Sequence, residues 1–154
     1  MSYIYCLDTS ALVESWWRLY PPDSFPTFWE YLDDAIINNF FISPEIVLEE
    51  LRVQDDDIYK WAKNHYELFV PLDADLQIVQ TDIVNQFPRL TMPVKRRSLA
   101  DPWVIALAII KQCPVVSMEN PGSDSKPRIP DVCRQLGVGH IYIVDLIRAM
   151  GWKF

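Results

Sequence analysis

The chain has 154 residues, half of them hydrophobic, and a formal net charge of −7. That length and apolar content suit a single domain over residues 1–154 and exclude a disordered chain. No stretch approaches the roughly 18 apolar residues of a membrane span, and no basic region followed by a long apolar run opens the sequence, so the expectation is a cytoplasmic protein with no membrane partner.

Tyr3 to Leu7 reads as a buried strand and Ala11 to Leu19 as a helix stopped by Pro21 and Pro22. Asp23 and Ser24 precede a second helix, Pro26 to Ile37, with Phe28, Trp29, Leu32 and Ile36 along one side. Phe40 to Ile42 is a short apolar strand. Ser43 then reads as the cap, and Pro44 as the first position, of a third helix on which Ile46, Val47, Glu50 and Leu51 share a face. Asp55, Asp56 and Asp57 suit the start of a helix running through Trp61 to Tyr66, as acids complement the dipole there. Leu68 to Val70 is a strand and Ala74 to Phe87 a helix, and Pro88 and Pro93 bracket a loop leading to the basic cluster Lys95, Arg96 and Arg97. The rest reads as an apolar helix Asp101 to Lys111, a strand Val115 to Met118, a polar loop, a helix Pro130 to Leu136, a strand His140 to Val144 and a terminal helix Leu146 to Met150.

Strands that are continuous apolar runs, alternating with helices, indicate a mostly parallel sheet covered on both faces. The three cysteines have no paired or zinc-like spacing and suit buried reduced thiols, while His65 and His140 are isolated.

The chemistry lies in four acids. Asp8 closes the first strand and opens a helix; taken alone it is an N-cap. Asp101, followed by Pro102, has the same dual reading, and Glu119 leaves a strand. Glu50 is different, because it falls between Val47 and Leu51 on an apolar face, where a carboxylate is costly unless paired or metal-bound. Its neighbour Glu49 points to the other side of the helix. The negative balance of the chain argues against a general nucleic-acid binder, although bound metal offsets charge locally and Lys95, Arg96 and Arg97 stand where they could meet a phosphate. Trp16, Trp17 and Tyr20 follow the first acid closely: exposed, they offer stacking surfaces for unpaired bases; buried, they belong to the core or to a dimer interface.

In order, Asp8-Thr9-Ser10-Ala11 after a strand, Glu49-Glu50-Leu51, Asp101-Pro102-Trp103-Val104-Ile105-Ala106-Leu107-Ala108, and Val115-Val116-Ser117-Met118-Glu119 resemble the PIN-domain family, and within it the VapC-type toxin ribonucleases of toxin–antitoxin modules. The resemblance implies an α/β three-layer α/β/α sandwich. It implies a Mg²⁺- or Mn²⁺-dependent endoribonuclease, the toxin of a type II module, that hydrolyses RNA by metal-activated water. An antitoxin that blocks the acidic cleft and a homodimer are implied as partners. Asp8, Glu50, Asp101 and Glu119 match the family's acidic, metal-holding positions. Ser10 matches its hydroxyl residue, placed to donate to a carboxylate or a phosphate oxygen; Lys95, Arg96 and Arg97, outside that match, read either as contacts to substrate phosphates or as a solvated loop. The last acid departs from the family pattern, being Glu119 after Ser117-Met118 where Asp after Thr-x is usual. An RNA-processing nuclease without a toxin role and a non-catalytic binding module remain the alternatives.

Overall fold

Five short apolar segments assemble into one sheet in the computed structural model, which describes residues 5–91 and 99–154. They are β1 (Tyr5–Leu7), β2 (Phe41–Pro44), β3 (Phe69–Val70), β4 (Val115–Val116) and β5 (His140–Ile141), in the order β3-β2-β1-β4-β5. Every pairing is parallel, with Tyr5 opposite Phe41, Cys6 opposite Val115, Ser43 opposite Phe69 and Val115 opposite His140. The central strand β1 is buried along its length, which explains its lack of any charged or small polar residue.

Parallel strands require crossovers, and right-handed crossovers fix which face each helix covers. Helices α1 (Thr9–Glu14) and α2 (Pro26–Ile37) connect β1 to β2, and α3 (Glu45–Gln54) and α4 (Asp56–Lys63) connect β2 to β3. The chain then turns back across the sheet through α5 (Ala74–Gln86) and α6 (Asp101–Lys111) to β4, and through α7 (Ile129–Leu136) to β5, before ending in α8 (Ile143–Met150). Contacts follow this division: α1 packs on α3 and α3 on α4, whereas α6 packs on α5, α7 and the sheet. The result is a three-layer α/β/α sandwich. Strand order reverses between β1 and β4, and ligands of such sheets bind in the crevice at the carboxyl ends of the strands there.

Several boundaries differ from the sequence expectation for a physical reason. The first helix is α-helical only to Glu14 and continues as a π turn, Ser15–Leu19. That turn sends Trp16 inward against Trp29 (4.9 Å between ring centroids, edge to face) and Trp61, and Tyr20 stacks on Phe28 at 4.6 Å. Trp17 stays outside, 52% exposed. The third helix starts at Glu45, not Pro44, because Ser43 and Pro44 pair with Phe69 and Val70, and the Ser43 hydroxyl donates to the Leu7 carbonyl at 2.8 Å instead of capping. Asp55 caps α4 by accepting from the Asp57 and Ile58 N–H groups, so the acidic run does mark a helix start. The three cysteines are free and buried.

Candidate metal centre

Asp8 follows β1 directly, and its N–H extends the ladder by donating to the Val116 carbonyl at 2.9 Å. Its side chain is both cap and something more. One oxygen, Oδ2, accepts from the Ser10 N–H at 3.2 Å and from the Ser10 hydroxyl at 2.6 Å. The other, Oδ1, is buried and has no hydrogen-bond partner among the described residues. A buried carboxylate oxygen without a donor is costly, so this atom requires an explanation that capping does not give.

Asp101 is the first residue of α6, with Ala100 rather than Asp101 in the cap position, and it is 3% exposed. Glu119 lies three residues beyond β4. Its Oε1 accepts from the Ile129 N–H at 3.3 Å, and its own N–H donates to the Ser117 hydroxyl, which lies 2.6 Å from His140 Nε2. Across the reversal point, Asp8, Asp101 and Glu119 each offer an oxygen within 4.8 Å of the others. These three therefore converge from residues far apart in sequence.

Glu50 stands beside this group rather than in it. It faces inward on α3, accepting from the Thr9 hydroxyl at 2.6 Å and from the Ala100 N–H at 3.0 Å. Both oxygens are thereby engaged, and the carboxylate braces the residues next to Asp8 and Asp101. Glu49 pairs with Arg52 at the surface. Thr9 gave no signal in the sequence, since its partner is 41 residues away.

Charge crowding dominates the electrostatics. Burial holds the Asp8 carboxyl above its ordinary range against the opposing pull of the Ser10 hydrogen bonds. Asp101 is pushed well above, by burial first and then by Asp8, Glu119 and Glu50. Burial likewise raises Glu119 to about 7, Asp8 adding to it, while the Ile129 N–H, Arg128 and a hydrogen bond with Asp101 oppose it. Glu50 rises to about 7 by burial, with the Thr9 hydroxyl opposing and Asp8 adding. Arg128 offsets this crowding only in part, and a hard divalent cation with oxygen ligands would supply both the remaining charge and a partner for Asp8 Oδ1. The donor set fits Mg²⁺ or Mn²⁺.

The carboxylates line a cavity of about 570 Å³ whose wall also carries Trp17, Arg89, Lys126 and Arg128. The three cations escaped the sequence reading because each looked like an ordinary loop residue. Lys95, Arg96 and Arg97 lie outside the described residues. Ser10 has a determinate place: besides donating to Asp8, its hydroxyl accepts from the Met118 N–H at 2.9 Å, tying β1's end to β4's. Ser10→Ala should therefore weaken Mn²⁺ binding by roughly ten- to a hundredfold, as loss of an orienting partner of a ligand does; calorimetric titration of Mn²⁺ into both proteins measures it, and unchanged affinity would remove Ser10 from the centre.

A family model described as "Domain of unknown function (DUF4411)" matches residues 5–154. No curated protein matches the sequence. Among solved structures, the chain is similar to VapBC2 from Rickettsia felis, crystallised bound to a DNA fragment from their promoter, with a TM-score of 0.56 over 90% of this chain and 98% of that chain at 14% identity. At that identity the likeness is one of fold, and the fold is PIN-like.

Proposed function

The chain belongs to the DUF4411 family, and from that premise we propose that it is a Mg²⁺- or Mn²⁺-dependent endoribonuclease. The observation that carries this reading is the group Asp8, Asp101 and Glu119, gathered within 4.8 Å where strand order reverses, with a buried Asp8 oxygen that has no partner among the described residues. Asp8, Asp101 and Glu119 would hold the cation, which when bound supplies charge neutralisation and an acidified water. The chain's own residues do the rest. Ser10 fixes the orientation of Asp8, and Thr9 with Ala100 fixes Glu50, which keeps α1, α3 and the start of α6 in register around the pocket. Glu119 anchors one oxygen on the Ile129 N–H and its carboxyl also hydrogen-bonds Asp101, which holds it against the other two acids of the pocket.

The toxin role, an antitoxin that occupies the acidic pocket, homodimerisation and a cytoplasmic setting come with the VapC resemblance and form part of the proposal. Purified protein should cut unstructured RNA with Mn²⁺ and not with chelator. Arrest of growth on expression, relieved by the product of the neighbouring gene, separates a toxin from an RNA-processing enzyme. A second reading, a cation-binding module without catalysis, is favoured by the net charge of −7 and by Glu119 in place of the usual aspartate. Mn²⁺ binding without any RNA cleavage would decide for it.

A further inference from the structure

One face of the first helix runs from the metal centre along the cavity. Ser10, Val13, Glu14 and Trp17 recur at the three-and-four spacing of a helical stripe, and all four line the cavity. At about 1.5 Å per residue, Trp17 stands roughly 10 Å along the axis from Ser10. It is 52% exposed, and no aromatic ring of the described residues packs on it, in contrast to Trp16. The same cavity is lined by three cations. Arg89 comes from the 3₁₀ turn Pro88–Thr91, and Lys126 and Arg128 from the loop before α7. None of these three cations forms a salt bridge with a described residue.

Arg128 is the innermost of them, close enough that its charge lowers the pKa of both Asp101 and Glu119. Its backbone is pinned: Asp131 Oδ2 accepts from the Arg128 N–H at 2.9 Å and from the Gly122 N–H at 2.7 Å. The loop is closed so tightly at Gly122 that a Cβ there would lie 2.2 Å from the Lys126 carbonyl oxygen. Cations that form no salt bridge with a described residue, two of them on a held loop, suit an anion that arrives from outside. An unstacked ring lining the same cavity suits a planar apolar group.

We propose that this cavity is a groove for single-stranded nucleic acid, with Arg128, Lys126 and Arg89 on consecutive phosphates and Trp17 stacking an unpaired base beside the scissile step. Deepening the nuclease reading above, the assignment rests on the carboxylate pocket being the reactive centre. Base stacking requires a base free of its helix, so the groove discriminates against duplexes. Phosphate contacts carry the salt dependence and stacking does not.

Fluorescence polarisation of a labelled ten-nucleotide strand tests this, as RNA, as DNA and as duplexes of each, with Mg²⁺ present and in an Asp8→Asn background that keeps the RNA intact. Trp17→Ala should weaken single-strand binding by about tenfold with the salt slope unchanged. Arg128→Ala should weaken it by a similar factor and reduce the salt slope by about one. Duplexes should bind at least about tenfold more weakly than either strand; RNA and DNA strands binding alike means that the groove reads the base and phosphate, and RNA alone binding means that the 2′-hydroxyl contributes as well. Equal affinity for single strands and duplexes, or unchanged single-strand affinity in both variants, overturns the groove even if the protein cleaves RNA. Binding with these signatures by a protein that cleaves nothing leaves the groove standing and removes the nuclease.

Discussion

Asp8→Asn should lower Mn²⁺-dependent RNA cleavage by at least about a hundredfold, the scale at which even an indirect partner of a metal ligand matters. The substitution keeps the size of the side chain and an oxygen able to cap Ser10, so β1 and α1 have no reason to move. What it removes is the anionic oxygen that has no partner among the described residues. The loss should appear in the turnover of unstructured RNA under saturating Mn²⁺. Cleavage equal to the parent's would strip Asp8 of its role, whereas equal loss in Glu49→Gln would point to a general effect of charge, since Glu49 sits at the surface with Arg52.

The second large effect is on stability without metal, and its sign is the reverse of the usual carboxylate case. Isolated carboxyl groups titrate near 4, but burial raises Glu50 and Glu119 to about 7 and raises Asp8 and Asp101 too, with neighbouring acids adding to the rise at Glu50, Glu119 and Asp101. Between those limits the folded protein holds protons that the unfolded chain releases. The stabilisation is therefore complete below about pH 4 and drains away as pH rises through about 7. In chelator, the thermal midpoint should fall by several degrees from pH 5 to pH 8, each 1 kcal/mol moving a domain of this size by roughly 2–4 °C. Asp101→Asn should blunt the fall, because it removes one of the crowded charges. Mn²⁺ should restore the parent at pH 8 but not the variant, and restore little at pH 5, where protons compete for the ligands. A metal-free midpoint that climbs from pH 5 to pH 8 would mean that these carboxylates are already compensated by the protein.

Much of this arrangement is readable in the residues before any coordinates. Asp8, Asp101 and Glu119 abut the ends of apolar segments, and an alternating α/β chain places such ends at one rim of a parallel sheet. Glu50 is readable as an inward acid because its neighbours on the helix face are Val47 and Leu51. The partners are another matter. Thr9 with Glu50, Ser10 with Met118 and Ala100 with Glu50 join residues 41, 108 and 50 positions apart, and no local pattern encodes such pairs. Local rules also mislead where long-range pairing prevails, as at Ser43 and Pro44, whose cap-and-proline signature yields to the β2–β3 ladder. The π turn after Glu14 has no local signature, and the choice of Trp16 as the inward tryptophan is made by distant rings, Trp29 and Trp61. Arg128 had one faint signal, its place immediately before a helix that carries Asp131 at its third position.

Crystals of the full chain soaked in Mn²⁺ and measured at the manganese absorption edge test the central claim most directly. An anomalous peak in contact with Asp8 Oδ1, flanked by Asp101 and Glu119 and absent in Asp8→Asn, is the expected result. A map with no peak among those three side chains, at Mn²⁺ concentrations that support cleavage, would contradict it.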